Sequence, residues 1–337
     1  MSGKNIIFVL SIILLFFLWS STYTAIILAL DDFSAEGLAL FRLLVASSLL
    51  FALSFRYKVR LPDKEDIPAI VVCGIFGICV YNLILLNGQK TMPVALCSLL
   101  LNTYPIFVAI FSFLLFKEFI NPIKWIGIMV CFAGMIIASG ETESGFLVNG
   151  SVILFVIAAI IQSMYDLKQK DLMKKYTPFE LTCYFMWVGA AALLVYAPAL
   201  LKDLHTVKAS SLVPAVYLGA FPGVVSALLW AKLILKYSVS TMSCCCYVSP
   251  IFAALLAFIA LGQIPSISTL EGIPVVISGL LLIHYSSKIR LRRHIVYLKH
   301  GRMPILSDLY IPRVRLYFQP PIQSLIPRFL QLFPREK

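Results

Sequence analysis

Two segments of the sequence decide the fold: SLLLNTYPIFVAIFSFLLFKE (98–118) and SCCCYVSPIFAALLAFIALGQ (243–263). The tripeptide Pro-Ile-Phe occurs in both, at 105–107 and at 250–252, which is an offset of 145 residues. The same offset aligns further identical residues: Ala109 with Ala254, Ser98 with Ser243, Gly127 with Gly272, and Gly134 with Gly279. Because so many identities in one register are improbable by chance, we predict an internal duplication.

The composition around these segments is that of a membrane protein. Apolar residues make up 60% of the 337 residues, charged residues only 13%, and the mean hydropathy is +0.92. Soluble domains are about 45–50% apolar and about 25% charged. The net charge of +12 lies in the loops and the C-terminal tail, whereas a nucleic-acid-binding protein concentrates it in one patch. The chain is therefore predicted to lie in a lipid bilayer and to have no nucleic-acid partner.

Ten apolar runs reach about the 20 residues that a helix needs to cross a bilayer core. They cover residues 5–29, 37–55, 68–88, 93–116, 123–139, 149–167, 179–200, 212–235, 241–261 and 268–286. The alternating pattern of a β-barrel is absent, so all ten are predicted to be helices. The first run is too long for the apolar region of a signal peptide and is predicted to be a retained span.

Lys and Arg are concentrated in alternate loops. One set holds the basic clusters at 56–64, 168–175 and 288–293, whereas the other holds only Lys90, Lys202 and Lys208. The positive-inside rule then places both termini in the cytoplasm. Because each half has an odd number of spans, the second copy must be inverted. The predicted fold is all-α and integral to the membrane, with ten transmembrane helices as two inverted five-helix repeats (1–140 and 141–287) and a basic, proline-containing cytoplasmic tail (288–337).

The eight cysteines all lie inside apolar runs, which is not the pattern of a disulfide framework. Cys244, Cys245 and Cys246 are consecutive, and neighbouring residues of a helix do not share a face. They are predicted to be small apolar residues, the alternative being a reactive thiol or a metal site.

The pattern resembles the drug/metabolite transporter superfamily, in particular its EamA-like branch, over about residues 6–286. The residues that carry the resemblance are Trp19, Phe41-Arg42-Leu43, Tyr81-Asn82, Ala95, Ser98, Pro105, Lys117-Glu118, Gly127, Gly134, Trp230, Ser238, Pro250 and Gly262-Gln263. Gln263 departs from the family, which usually has an acid there, and Gln162 stands where the second repeat often has a tryptophan. The resemblance implies transport of small metabolites such as amino acids, frequently as export.

Polar side chains at membrane depth are costly and are candidates for solute contact. The candidates are Trp19, Tyr23, Arg42, Tyr81, Asn82, Asn102, Tyr104, Gln162, Tyr165, Trp187 and Tyr247, with the smaller Thr22, Thr103, Ser226 and Ser249. Pro105 and Pro250 are predicted to kink their helices and to free a backbone carbonyl about four residues earlier. The alternative for each polar residue is a hydrogen bond between helices.

Two charged residues have two interpretations each. Arg42 is about five residues inside its span and is expected to extend to the membrane interface; the alternative is that it binds a carboxylate or a phosphate, which its planar guanidinium matches. Asp166 is expected to pair with Lys170, four residues on; the alternative is a role in proton coupling.

The function predicted from these features is that of a secondary carrier for a small polar metabolite, working by alternating access. The sequence has no P-loop to bind ATP, no zinc-ligand motif and no nucleophile–base pair, so we expect no cofactor, no metal and no enzymatic activity. The alternatives are an exchanger or facilitator for a nucleoside-bearing metabolite such as S-adenosylmethionine, a membrane-embedded enzyme and a scaffold. The expected partners are the solute, the bilayer and either a coupling proton or a counter-solute, and the short loops suggest a bacterial inner membrane.

Overall fold

The computed structural model describes residues 3–116, 122–138, 150–236, 239–243, 246 and 249–286, and all regular structure in these ranges is helical. The α-helices are α1 (Gly3–Leu30), α2 (Ala35–Tyr57), α3 (Ile67–Val72), α4 (Tyr81–Gln89), α5 (Val94–Leu101), α6 (Tyr104–Phe116), α7 (Pro122–Ala138), α8 (Gly150–Leu172), α9 (Pro178–Leu193), α10 (Ala197–Leu204), α11 (Ala209–Leu218), α12 (Ser226–Lys236), α13 (Val239–Ser243), α14 (Ser249–Leu261) and α15 (Ile267–Ser286). Several predicted features lie outside the described residues: the tail 288–337, Lys117, Glu118, Ser238, Cys244, Cys245 and Tyr247.

Seven helical stretches are long and apolar enough to cross a membrane, and they coincide with predicted spans one to four and six to eight. They are Leu10–Leu30, Ala35–Tyr57, Ile67–Gln89, Val94–Ser112, Gly150–Leu172, Pro178–Leu204 and Ala209–Leu235. Shorter apolar helices at Trp125–Gly134, Phe252–Leu261 and Ile267–Ile283 overlap predicted spans five, nine and ten. The prediction of an all-helical integral membrane protein is confirmed.

The outer faces of these helices carry large apolar side chains. Phe55 is 72% exposed, Met129 67% and Ile259 69%. A contiguous apolar exterior of this kind would aggregate in water, whereas lipid tails solvate it. The polar side chains that are buried, such as Arg42 and Asp166, lie inside the helix assembly.

Two of the spanning helices contain a π-helical segment, and the two segments occupy equivalent positions in the duplicated sequence. The first π segment is Cys73–Val80, between α3 and α4, and the second is Gly219–Val225, between α11 and α12. Gly74 and Gly219 are related by the offset of 145. A β-carbon added at Gly74 would lie 2.6 Å from Val188 of α9, and one added at Gly219 would lie 2.6 Å from Val45 of α2. Each π segment therefore packs closely on a helix of the other half of the chain.

Helices α7 and α15 pack against each other through the glycines that the duplication aligns. A β-carbon added at Gly127 would lie 2.7 Å from the carbonyl oxygen of Gly279, and one added at Gly134 would lie 3.2 Å from that of Gly272. The earlier glycine of one helix thus faces the later glycine of the other, so the two helices run antiparallel. Small residues at such positions allow two backbones to approach.

Predicted span four is interrupted in its middle. α5 ends at Leu101 and α6 begins at Tyr104, with Asn102 and Thr103 in a turn between them. The break directly precedes Pro105, which has no N–H to donate to the carbonyl of Leu101. The Asn102 side chain donates from Nδ2 to the carbonyl of Ser98 over 2.7 Å. This turn brings polar backbone and side-chain groups to the centre of the molecule.

Candidate functional site

A cavity of about 170 Å³ lies at the centre of the helix assembly, between the two halves of the sequence. Nine of the predicted site residues line it, and they come from both halves: Trp19, Tyr23, Arg42, Tyr81, Asn82, Asn102, Tyr104, Gln162 and Tyr165. The smaller candidates Thr22, Ser226 and Ser249 also line it. The walls include parts of both π segments and Asn102 of the turn that interrupts span four.

Arg42 is the charged residue of the cavity wall among the described residues. It is 7% exposed, and its Nε and Nη1 atoms have no hydrogen-bond partner in the described part of the chain. The expectation that Arg42 extends to the membrane interface is therefore wrong. The residue lies on the inner face of α2, which turns its guanidinium toward the cavity and away from lipid. An unpaired buried cation is a site for an anionic group.

Two tryptophans form one wall of the cavity. The Trp19 Nε1–H donates to Ser226 Oγ over 3.0 Å, and the Trp19 ring lies against the Trp230 ring with 5.0 Å between centroids. The Trp230 Nε1–H in turn donates to Asp166 Oδ1 over 3.0 Å. These contacts join α1, α12 and α8, and they give the cavity a large apolar face.

Asp166 lies behind this wall, fully buried on α8. Its Oδ1 atom also accepts a hydrogen bond of 3.1 Å from Gln162 Nε2. The expected pair with Lys170 is wrong, because the Lys170 ammonium donates to the main-chain carbonyls of Ile234 and Leu235, the latter at 2.7 Å. In the described residues the Asp166 carboxylate is held by two neutral donors.

The two asparagines of the site bond to their own helices. Asn82 Nδ2 donates to the carbonyl of Ile78 over 2.7 Å, as Asn102 Nδ2 does to that of Ser98. Asn82 Oδ1 is buried without a donor among the described residues. The amides thus do not join neighbouring helices, and Asn82 Oδ1 can accept a hydrogen bond from a solute.

Trp187 is a predicted site residue that the structure places elsewhere. Its side chain is half-buried, its Nε1–H donates to the carbonyl of Ser47 over 3.3 Å, and it does not line the cavity. Trp187 was predicted as a site residue only from its depth in the span. The face of α9 that carries it packs on α2. Tyr247 lies outside the described residues, and for Pro250 only the backbone is described.

Two lining residues with hydrogen-bonding side chains, Gln169 and Trp230, were not predicted as site residues. Gln169 lines the cavity because α8 continues to Leu172, whereas the apolar run predicts a span ending at 167. Its Oε1 atom is buried without a donor among the described residues. Trp230 had been noted only as part of the family resemblance. The spacing of Gln162 and Gln169, seven residues or two helical turns, is the signal that could have placed Gln169 on the same face.

On one face of the molecule, the N-terminus of α3 is held by what we call the Asp66 cluster (Asp66, Lys175 and Tyr176). Asp66 accepts hydrogen bonds of 2.8 Å from Tyr176 Oη and 3.0 Å from Lys175 Nζ. These contacts lower the pKa of Asp66, the Tyr176 hydroxyl contributing most, and raise that of Lys175. The cluster joins the loop between α8 and α9 to the start of the third span.

The N-terminus of α11 is held in the same way by the Asp32 cluster (Asp32, Lys208 and Ser211). Asp32 Oδ2 accepts from Ser211 Oγ over 2.8 Å and from the Lys208 backbone N–H over 3.2 Å, and these bonds lower its pKa, with the Ser211 hydroxyl as the larger cause. Asp66 and Ser211 are again 145 residues apart. The two clusters therefore fix the N-termini of two spans that occupy equivalent positions in the duplicated sequence.

Comparison with known proteins identifies the family. The model of the EamA-like transporter family matches residues 6–140 and 149–285. "Uncharacterized transporter YdfC" of Bacillus subtilis (strain 168) is 33% identical over 282 residues, which is 83% of this chain and 91% of that protein. "Probable terminal-alkyne amino-acid exporter" of Streptantibioticus cattleyicolor is 31% identical over 267 residues, or 79% of this chain and 89% of that protein.

More distant similarities extend over much of the chain as well. "S-adenosylmethionine uptake transporter" of Rickettsia bellii is 25% identical over 201 residues, covering 60% of this chain and 67% of that protein. A solved crystal structure superimposes with a TM-score of 0.58 at 18% identity, covering 81% of this chain and 94% of the other, which shows a shared fold. With two matches to one family model and a relative above 30% identity over most of its length, the chain belongs to the EamA-like transporter family.

Proposed function

We propose that this transporter is a secondary carrier that moves a small amino acid, or a related carboxylate-bearing metabolite, through the central cavity by alternating access. The observation that carries the proposal is the buried, unpaired guanidinium of Arg42 in a cavity walled by aromatic and amide side chains. Arginine binds a carboxylate through two parallel hydrogen bonds. A solute carboxylate would therefore supply the charge that Arg42 lacks.

The size of the cavity favours an amino acid over a larger solute. An apolar protein cavity of about 150 Å³ holds one benzene molecule, and the cavity here measures about 170 Å³. A nucleoside-bearing metabolite needs more space than that. One relative is named as an amino-acid exporter, which supports the same cargo class and makes export the direction to test first.

We further propose that the fold consists of ten spans in two inverted five-helix repeats, with both termini in the cytoplasm of a bacterium whose inner membrane holds the protein. The antiparallel glycine contacts of α7 and α15 support the inversion, as do the equivalent π segments.

In a cysteine-less chain, Gly127→Cys with Ile283→Cys should form a disulfide, because a β-carbon at Gly127 lies 2.7 Å from Ile283. Gly127→Cys with Thr269→Cys, at the other end of α15, should not. The reverse result would contradict the inversion.

The cargo is tested with purified protein in liposomes, screened for counterflow of pooled radiolabelled amino acids and of S-adenosylmethionine. We expect amino-acid counterflow that Arg42→Ala and Asn102→Ala each reduce about ten-fold or more, since a hydrogen bond to a charged group is worth about 1.5–3 kcal/mol. Arg56→Ala, an exposed arginine on the same helix, is the matched control. If both cavity variants transport every active compound normally, the proposed site is wrong.

A further inference from the structure

Asp166 has a carboxylate whose two oxygens lie in different surroundings. Oδ1 accepts hydrogen bonds from Trp230 Nε1 and Gln162 Nε2, and both donor residues line the cavity. Oδ2 is buried and has no hydrogen-bond partner among the described residues. The carboxylate is thus held in a fixed orientation, one side chain behind the cavity wall, with one oxygen unused.

No cation lies within ion-pair distance of Asp166 in the part of the chain that the structure describes. On α8 itself, Lys170 donates to the carbonyl of Leu235, and Lys168 pairs with Asp171 at 3.2 Å. Lys232 of α12 has an exposed side chain. Among the side chains that the structure describes on α8 and on the elements packed against it, the remaining titratable groups are neutral in their ordinary state: Tyr165, Tyr81, Tyr104, Cys73, Cys79 and Cys97.

A carboxylate buried without a cation costs several kcal/mol, and such a group is usually neutralised by taking up a proton. A metal cation is a poor substitute here, since Mg²⁺ and Ca²⁺ take about six or more oxygen ligands and Oδ2 is a single unused carboxylate oxygen. Asp166 does not line the cavity, and the side chains of Trp230 and Gln162 lie between it and the position of a solute's ammonium group. A proton needs no additional space.

We propose that Asp166 is the proton-binding site of the transport cycle. A hydronium ion on one side of the membrane transfers a proton to Oδ2, so that one O–H bond breaks in the hydronium and one forms on the carboxyl group. The proton stays there while the cavity is closed, and when the cavity reopens it passes to a water molecule on the other side, which restores the carboxylate and forms a hydronium ion. One proton crosses per cycle, and no other bond forms or breaks. The inference rests on the proposed alternating access of this cavity, and it makes the transporter responsive to a pH gradient.

The first test uses proteoliposomes and the amino acid found most active in counterflow. An imposed difference of one pH unit should change the initial rate of the wild-type protein by up to about ten-fold for one coupled proton. In Asp166→Asn the ratio of rates with and without the gradient should fall to about one. Asp171→Asn, an exposed acid on the same helix, is the control and should keep the wild-type ratio. The proposal is overturned if Asp166→Asn keeps the wild-type ratio of rates. It is also overturned if the transport rate of the wild-type protein does not respond to a pH gradient but does respond to a sodium gradient.

The second test needs neither a solute nor transport. Infrared difference spectra of the detergent-purified protein, recorded as the pH is lowered, should contain the carbonyl band of a protonated, buried carboxyl group. Asp166→Asn should lack that band, and Asp166→Glu should move it. A band that persists unchanged in Asp166→Asn overturns the proposal even if that variant does not transport. Absence of amino-acid counterflow in the wild-type protein would instead refute the proposed cargo, and the infrared result would still decide the role of Asp166.

Discussion

Among single residues, Arg42 is the one on which the proposed cargo depends most. Its guanidinium is held inside the helix assembly, where low polarity strengthens its attraction for an anion. The residue is 7% exposed, and two of its nitrogens have no hydrogen-bond acceptor among the described residues. Burying this cation without a partner costs free energy. A transported solute with a carboxylate would lower that cost each time it binds.

We expect the carboxylate of the solute to bind directly to the guanidinium of Arg42. Methyl-esterifying the most active amino acid should weaken its inhibition of wild-type counterflow about ten-fold or more, because a charge-assisted bond is lost. In Arg42→Ala, the ester and the free acid should inhibit within about two-fold of each other, since neither can use the missing guanidinium. If esterification weakens inhibition equally in the wild type and in Arg42→Ala, the solute carboxylate does not bind to Arg42.

Asp32 gives a pH-dependent prediction outside the spans. Its pKa is lowered in the folded protein, so its contribution to stability is complete above the ordinary aspartate pKa of about 3.9 and is lost as the pH falls through the lower folded-state pKa. Asp32→Asn should therefore melt at a lower temperature than the wild type at pH 6, and the difference should shrink as the pH is lowered from 6 to 3. Asp31→Asn, its exposed neighbour, should melt like the wild type at both pH values. Differential scanning fluorimetry of the detergent-purified protein provides the measurement.

At the scale of helices, the two π segments determine how closely the halves approach. Gly219 lies against the α2 backbone at Arg42, since an added β-carbon would lie 2.6 Å from the carbonyl oxygen of Arg42. A π-helical turn also shifts the residues that follow it around the helix axis, and such turns are frequent at functional sites. The second π segment precedes Ser226 and Trp230, both of which reach the cavity. Local helix geometry therefore positions the tryptophan wall.

We expect Gly219→Ala and Gly74→Ala each to destabilise the protein by about 1–3 kcal/mol, the usual cost of overpacking. Both added methyl groups meet atoms at 2.6 Å. Gly150→Ala is the matched control, because an added β-carbon there meets nothing within 4 Å. Chemical denaturation of the purified protein gives the comparison. If all three variants are as stable as the wild type, the close packing of the π segments on α2 and α9 is not required for stability.

The helical periodicity and the apolar runs were enough to predict where spans lie but not which way each side chain points. Trp187 has the right depth, yet its face of α9 packs on α2 and its indole bonds to Ser47. Gln169 was missed because a polar helix end does not register as part of an apolar run. Arg42 was placed at the interface because depth in the sequence says nothing about whether its face meets lipid or protein. The errors at Trp187 and Arg42 concern rotation about a helix axis, which contacts between helices determine, whereas the error at Gln169 concerns where a helix ends.

At the scale of the whole molecule, the duplication was visible in the sequence and organises the structure. The glycines that align at an offset of 145 residues are those that meet between α7 and α15. The Asp66 and Asp32 clusters hold the N-termini of equivalent spans. Paired contacts of this kind are what we expect of two inverted repeats that rock against each other in the proposed alternating access.

Thiol accessibility shows whether the cavity opens in turn to each side of the membrane, as the proposed function requires. Ala227→Cys in a cysteine-less chain places one thiol on the cavity wall at a residue that is not proposed to bind the solute, and Ser163→Cys places a control thiol at a fully buried position outside the cavity. A membrane-impermeant maleimide should label Ala227→Cys in both right-side-out and inverted vesicles, and an excess of the transported amino acid should slow that labelling, while Ser163→Cys stays unlabelled. Labelling of Ala227→Cys from one side only, in a variant that still transports, would mean that the cavity does not open to both sides.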